Sequence, residues 1–168
     1  MTNGVAYQGN QPIGDLDVWS FTASAGQSVL VRAGQINETN SFAPWVRLYG
    51  PDGALIGSDW GAAVGEVTLR TTNSGTFMVV IGNNPYYSDA ASGTYLLTLA
   101  KTGDPIVVSP GDDGGQLTGV GVYSGNIPIG DVDLWTFTIC VGEAINVRAD
   151  EITQTNSFAP WVRLYAPN

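Results

Sequence analysis

The stretch TNSFAPWVRLY occurs twice in this chain, at Thr39–Tyr49 and again at Thr155–Tyr165. In its last six residues, Val46 and Leu48 point to one side of an extended chain, and the residues between them point to the other. This alternation predicts a β-strand with one face in a core and one face outside it. The outward-facing residues of the two copies are Trp45, Arg47, Tyr49, Trp161, Arg163 and Tyr165.

The repetition extends beyond that stretch with a constant offset. PIGDLDVWSFT matches PIGDVDLWTFT, and Gly14 aligns with Gly130, so the offset is 130 − 14 = 116 residues. The first copy continues past Asp52 for another half domain, but the second does not. A tandem duplication of this length predicts one complete repeat and half of a second. The predicted units are residues 3–101 (complete repeat), 102–117 (Gly/Pro/Asp-rich linker) and 118–168 (half repeat).

Alternating segments recur through the first copy, and turn sequences such as SAGQ, GPDG, TNSG and ASG separate them. No window shows a helical period. Seven or eight short strands in about 100 residues are typical of an antiparallel β-sandwich, so we expect an all-β protein. The predicted strands are Asp17–Ala23, Ser28–Ala33, Pro44–Tyr49, Glu66–Thr71, Thr76–Gly82 and Thr94–Ala100.

Composition excludes several classes of function. The formal net charge is −9, which disfavours nucleic acid as a partner, and no apolar run is long enough for membrane insertion. The chain has no His, so Ser-His-Asp and Cys-His catalysis are unavailable. Its four Glu residues stand in no context that suggests a pair of catalytic carboxylates. We therefore predict a non-enzymatic protein.

Repeated aspartates suggest a calcium site. Asp15 and Asp17 recur as Asp131 and Asp133, and hard cations bind clustered carboxylate oxygens. A further acidic cluster, DDGG, lies in the linker at Asp112–Gly115. The alternative is that Asp15 closes a turn by accepting hydrogen bonds from nearby backbone N–H groups. The sequence requires no cofactor, and calcium is the one cofactor that its repeated aspartates allow.

Aromatic residues allow two further interpretations. Trp60, Tyr86 and Tyr87 are predicted in loops, where they could form a platform for a polysaccharide, although loop aromatics often fill local gaps. Trp45, with Arg47 beside it, is either a cross-strand packing residue or part of a contact surface for a sugar or another protein.

The motifs GDLDVWSFTASAGQSVLVR, FAPWVRLYGPDGALIGSD, SGTFMVVIG and SGTYLLTLA follow one another along the first copy. This ordered set resembles the bacterial pre-peptidase C-terminal domain family over Tyr7–Lys101, and over its first half in Tyr123–Asn168. The resemblance implies a jelly-roll-like β-sandwich, secretion, and a non-catalytic accessory or structural role. Some family members bind calcium or a polymer such as collagen or polysaccharide. Ala43 and Ala159 stand where members often carry an acidic residue, which weakens a calcium site at that loop.

The half repeat carries strands without a partner sheet. Three explanations remain open: a segment cut from a longer tandem array, completion by another chain through strand addition or swapping, or support from the first domain. The exposed apolar faces would be those of Trp135, Phe137, Val147, Val162 and Leu164.

We therefore predict an extracellular or cell-surface bacterial repeat protein, a building block of an adhesin or filament. Its partners would be other copies of itself or adjoining repeats, with Trp45, Arg47 and Tyr49 as the contact surface. The alternative is a carbohydrate- or polymer-binding accessory module of a secreted hydrolase.

Overall fold

The computed structural model describes residues 1–39, 41–86, 88–153 and 158–166 of the chain. The first repeat forms two antiparallel four-stranded sheets packed face to face, and the described residues contain no helix. None of them therefore provides a helix long and apolar enough to cross a membrane. In chain order the strands of this repeat are β1 (Ala6–Gln11), β2 (Asp17–Ala23), β3 (Ser28–Thr39), β4 (Pro44–Tyr49), β5 (Leu55–Trp60), β6 (Val64–Arg70), β7 (Gly75–Asn83) and β8 (Ser92–Lys101).

The order of the strands is that of a jelly roll. Sheet A has the order β1-β8-β3-β6, and sheet B has the order β2-β7-β4-β5. Strand β1 therefore pairs with β8, β2 with β7, β3 with β6 and β4 with β5, which is the nested pairing of two Greek keys. The prediction of a jelly-roll-like antiparallel β-sandwich is confirmed.

The core lies between the two sheets and is built from the faces that alternation predicts. Val46 and Leu48 of β4 are fully buried, as are Val31 of β3 and Val79 of β7. Burying an aliphatic or aromatic side chain of this size stabilises the fold by about 1.5–3 kcal/mol. The other members of the core include Phe21, Val29, Phe77, Ile81, Tyr95, Leu97 and Leu99.

Two strands are absent from the sequence prediction, β1 and β5. In β5 the alternation fails because Leu55 and Ile56 are both exposed, and Gly57 approaches Val67 so closely that an added Cβ would lie 2.4 Å from its Cγ1. The placement of Trp60 in a loop is wrong, because hydrogen bonding to β4 extends β5 to that residue.

The linker and the second copy contain two further short strands. Strand β9 (Gly114–Gln116) pairs in parallel with β10 (Leu134–Thr136), and no other strand occurs among the described residues after β8. Gly130 of the second copy lies against Gly34 of β3, where a Cβ added to Gly34 would meet the Gly130 Cα at 2.0 Å. The second copy therefore contacts the outer face of sheet A.

Candidate functional site

The Trp45–Arg47–Tyr49 stripe lies on the outer face of sheet B, because these residues alternate with the buried side of β4. The Trp45 Nε1–H donates a hydrogen bond to Ser58 Oγ at 2.7 Å, and Trp60 is the register partner of Trp45 on β5. The Arg47 guanidinium lies 4.6 Å from the centre of the Trp45 ring. Its buried Nε has no hydrogen-bond acceptor among the described residues. The stripe thus presents a preorganised cation–π pair with unused donor capacity.

A groove of about 310 Å³ opens beside this stripe. Its lining combines an aromatic ring, a guanidinium, two carboxylates and an amide, which is a surface suited to polar contacts with a large partner. The residues that contribute these groups are Trp45, Arg47, Asp15, Asp89 and Asn83, with Gly14 at the edge.

The second copy repeats the arginine–tryptophan pair in another setting. The Arg163 guanidinium lies 3.9 Å from the centre of the Trp161 ring. Its Nη2 is 2.5 Å from Glu66 Oε1, and its Nη1 donates to Thr68 Oγ1 at 3.1 Å. Arg32 Nη1 contacts the other oxygen of Glu66 at 3.3 Å. The structure therefore places Arg163 on the outer face of sheet A, with a partner carboxylate that alternation within one strand did not predict.

The two copies differ sharply in the burial of identical residues. Val46 is 0% exposed and Val162 is 45% exposed, while Leu48 is 0% exposed and Leu164 is 59% exposed. In the first copy, strands of both sheets cover these side chains. Residues 53–101 form most of that cover. Val162 and Leu164 of the second copy are therefore exposed apolar side chains.

Within the first copy, the two repeated aspartates make hydrogen bonds inside the fold. Asp15 Oδ1 accepts the backbone N–H of Leu16 at 2.9 Å, as in a turn. Asp17 Oδ2 accepts the Tyr95 hydroxyl at 2.5 Å, and Tyr95 in turn accepts the Trp19 indole N–H at 3.0 Å. Burial, followed by the hydrogen bond to Asp17, raises the pKa of Tyr95. Sequence reasoning missed Tyr95 as the partner of Asp17, because the two residues lie on different sheets.

In the second copy the same aspartates meet the linker. Carboxylate oxygens of Asp112, Asp131 and Asp133 lie within 4.8 Å of one another. Asp131 is only 4% exposed, and Oδ1 of both Asp131 and Asp133 has no hydrogen-bond donor among the described residues. Burial raises the pKa of Asp131. Burial, followed by the charges of Asp131, Asp112 and Asp113, raises the pKa of Asp133 to about 7.

This cluster fits a divalent cation. Three carboxylates with two orphaned buried oxygens supply hard oxygen ligands, which favour calcium. Asn126 and Asp113 line the same cavity of about 230 Å³, so further oxygen ligands lie nearby. A bound cation would neutralise the charge that now raises the pKa of Asp133. Asp17 accepts the Tyr95 hydroxyl, whereas Oδ1 of Asp133 accepts no hydrogen bond among the described residues.

The predicted aromatic platform is divided between two places. Trp60 lies at the end of β5 and is partly exposed, and Tyr86, in the loop after β7, is 87% exposed. Tyr87 lies outside the described residues. Polysaccharide binding by these residues stays a prediction.

No protein-family model matches the chain, and no curated protein matches it. Among solved structures, the chain is similar to PliG, a periplasmic inhibitor of g-type lysozyme from Aeromonas hydrophila. That match has 18% identity and a TM-score of 0.47, and covers 60% of this chain and 88% of the other. It is also similar to the pre-peptidase C-terminal domain of a collagenase from Bacillus anthracis, with 14% identity and a TM-score of 0.48. That match covers 59% of this chain and 90% of the other. Both similarities are too distant to indicate what this protein does.

Proposed function

We propose that this protein is a non-enzymatic, extracellular structural repeat, a unit of a bacterial surface adhesin or filament, whose second copy is completed by added strands. The observation that carries this proposal is a difference in burial between identical residues of the two copies. Val46 and Leu48 are buried, whereas Val162 and Leu164 are exposed. An apolar face that is buried in one copy and exposed in the other can be covered by added strands. The segment that fits has the sequence type of residues 53–101, because that segment covers the same face in the first copy.

Extending the chain tests this proposal. A second copy of residues 53–101, fused directly after Asn168, keeps the offset of 116 residues and supplies the counterparts of β5 to β8. We expect the extended chain to bind less of an apolar dye and to protect the amides of residues 118–166 from exchange. A matched extension of the same composition in scrambled order should do neither. Equal behaviour of the two extensions would contradict strand completion.

A second function, cation binding between the linker and the second copy, is supported by the orphaned Asp131 carboxylate. We propose that calcium binds Asp112, Asp131 and Asp133 and so fastens the linker to the start of the second repeat. Calorimetric titration of the metal-free chain with calcium should show one site, which Asp131→Asn removes. The matched variant Asp15→Asn, at the equivalent place in the first copy, should keep it. Retention of binding by Asp131→Asn would contradict the assignment.

A further inference from the structure

The contacts of the second copy with the outer face of sheet A include two made by residues that the first copy repeats. One is the close approach of Gly130 to Gly34, where a Cβ added to Gly130 would lie 2.6 Å from the Gly34 Cα. The other is Arg163, which bridges Glu66 and Thr68 while stacked on its own tryptophan. Together they show how the Gly130 turn and the Trp161–Arg163 pair of the second copy contact the sandwich of the first copy.

The receiving surface is compact and carries a suitable charge. Gly34 lies on β3 and Glu66 on the neighbouring strand β6. Arg32 is the register partner of Glu66, and Gly34 lies two residues after Arg32, opposite Val64. Glu66 faces away from the core, because Val67 points into it. The surface therefore offers a gap for a glycine turn beside a carboxylate for an arginine.

The first copy presents the same two docking elements with nothing docked on them. Gly14, the counterpart of Gly130, has a φ of +77° and open space where a Cβ would stand. Arg47, the counterpart of Arg163, forms no ion pair among the described residues, and its Nε lacks an acceptor. Gly14 and Arg47 line one groove, so the two elements lie on the same surface of the first sandwich.

We infer that the Gly14 turn and the Trp45–Arg47 pair form a docking surface for the outer face of sheet A of a second copy of this chain. Arg47 would bridge Glu66 and Thr68 of that copy, and Gly14 would approach its Gly34. The incoming Arg47 competes with the resident Arg163 for one carboxylate. The half repeat of each chain therefore covers the outer face of its own sheet A around Gly34 and Glu66, and it must leave before a second copy can bind there.

Such a contact joins two different surfaces of the molecule. A heterologous interface that does not close into a ring propagates as a filament. The inference rests on the proposed structural role, but it uses the outer faces of the first sandwich and not the open face of the second copy. Docking and strand completion can therefore fail independently.

The test opens the acceptor surface in the full chain. In Gly130→Val/Arg163→Ala, the new Cβ meets the Gly34 backbone and the bridge to Glu66 is lost, so the half repeat should leave sheet A. In sedimentation velocity we expect the average mass of this open variant to rise with concentration toward that of a dimer and beyond. The wild-type chain should show less association at every concentration. The matched control Gly142→Val/Arg148→Ala changes the same residue types where neither contacts the first repeat, and should behave as wild type.

Further substitutions in the open variant test the partners. Adding Arg47→Ala should abolish association, as should adding Glu66→Arg, and combining Glu66→Arg with Arg47→Glu should restore it. Circular dichroism and thermal unfolding show whether the first sandwich remains folded in each variant. An open variant that stays monomeric with its sandwich intact would overturn the inference. Association that survives Arg47→Ala would also overturn it, because the exposed apolar residues of the half repeat would then be the cause.

Discussion

Leu48 and Leu164 occupy the same place in identical sequences, yet only the first is buried. Truncating a buried leucine costs about 2–5 kcal/mol through lost burial and the cavity left behind. We expect Leu48→Ala to lower the free energy of unfolding of the first sandwich by this amount. Leu164→Ala should leave it unchanged, because that side chain is 59% exposed. Urea unfolding followed by tryptophan fluorescence measures both, and equal losses would refute the difference in environment.

Tyr95 connects the two sheets through a single hydroxyl. Its O–H donates to Asp17 and accepts from the Trp19 indole, and the ring is fully buried. Tyr95→Phe leaves both partners without their hydrogen bond, which costs about 1–3 kcal/mol. We expect the thermal midpoint of the first sandwich to fall accordingly. Tyr86→Phe, at an exposed tyrosine, is the control and should have no effect; an unchanged midpoint for Tyr95→Phe would show that the hydroxyl contributes nothing.

At the scale of elements, strands that are equivalent in sequence differ in hydrogen bonding. Strand β3 is paired on both sides, by β6 and by β8, whereas residues 144–150, the counterpart of its first seven residues, form no strand in the structure. Amides in doubly paired strands open only with large parts of the fold. We expect slow hydrogen exchange in residues 29–34 and fast exchange in residues 145–150.

Mass spectrometry of peptides can resolve this difference, because the two segments differ in sequence, with Leu30 against Asn146 and Gly34 against Asp150. Equal protection of the two segments would contradict it.

Alternation predicts a strand only where one face is buried and the other is not. That condition holds for β2 and β4, and their faces are those expected from the sequence. In β7, Phe77, Val79 and Ile81 are buried as expected, but Val80 and Gly82 on the other face are buried as well. The condition fails for β5, an edge strand of sheet B whose residues are largely exposed. In β1 the burial does alternate, but the inner face carries Gly9 and Gln11, so the sequence shows no apolar alternation. The Tyr95 ring fills the space beside Gly9. Backbone pairing with a neighbour, which leaves no pattern in the sequence, defines these two strands.

At the scale of the whole molecule, the acidic cluster between the linker and the second copy makes cation binding depend on pH. Since the pKa of Asp133 is raised to about 7, protons compete with a cation for its carboxylate below that pH. Calcium affinity should therefore rise from pH 6 to pH 8, about one pH unit to either side of that value, and binding should release protons. Calorimetry in buffers of different ionisation enthalpy measures the released protons. Binding with no pH dependence would exclude Asp133 as a ligand.

Without a cation, the raised pKa of Asp133 makes the folded cluster less stable as the pH rises. Because the pKa of Asp133 is raised in the folded arrangement, its contribution to stability is greatest below the unfolded value of 3.8 and is lost as the pH rises through about 7. We expect the cluster to lose protection from hydrogen exchange over that range, and calcium to restore it. The Asp133→Asn variant should lose less protection over that range than wild type, and a loss equal to that of wild type would point to another titrating group.

The duplication and most strands of the first copy, with their inward and outward faces, can be predicted from the sequence, because alternation and turn residues act over a few neighbours; β1 and β5 cannot. The stripe of Trp45 and Arg47 is predicted for the same reason. The partners of these residues cannot be, since Glu66 meets Arg163 and Tyr95 meets Asp17 across distances of many residues in the chain. Two identical stretches acquire different environments because burial depends on strands supplied from elsewhere. Only the tertiary structure therefore distinguishes Val46 and Leu48, which are buried in a core, from Val162 and Leu164, which are exposed.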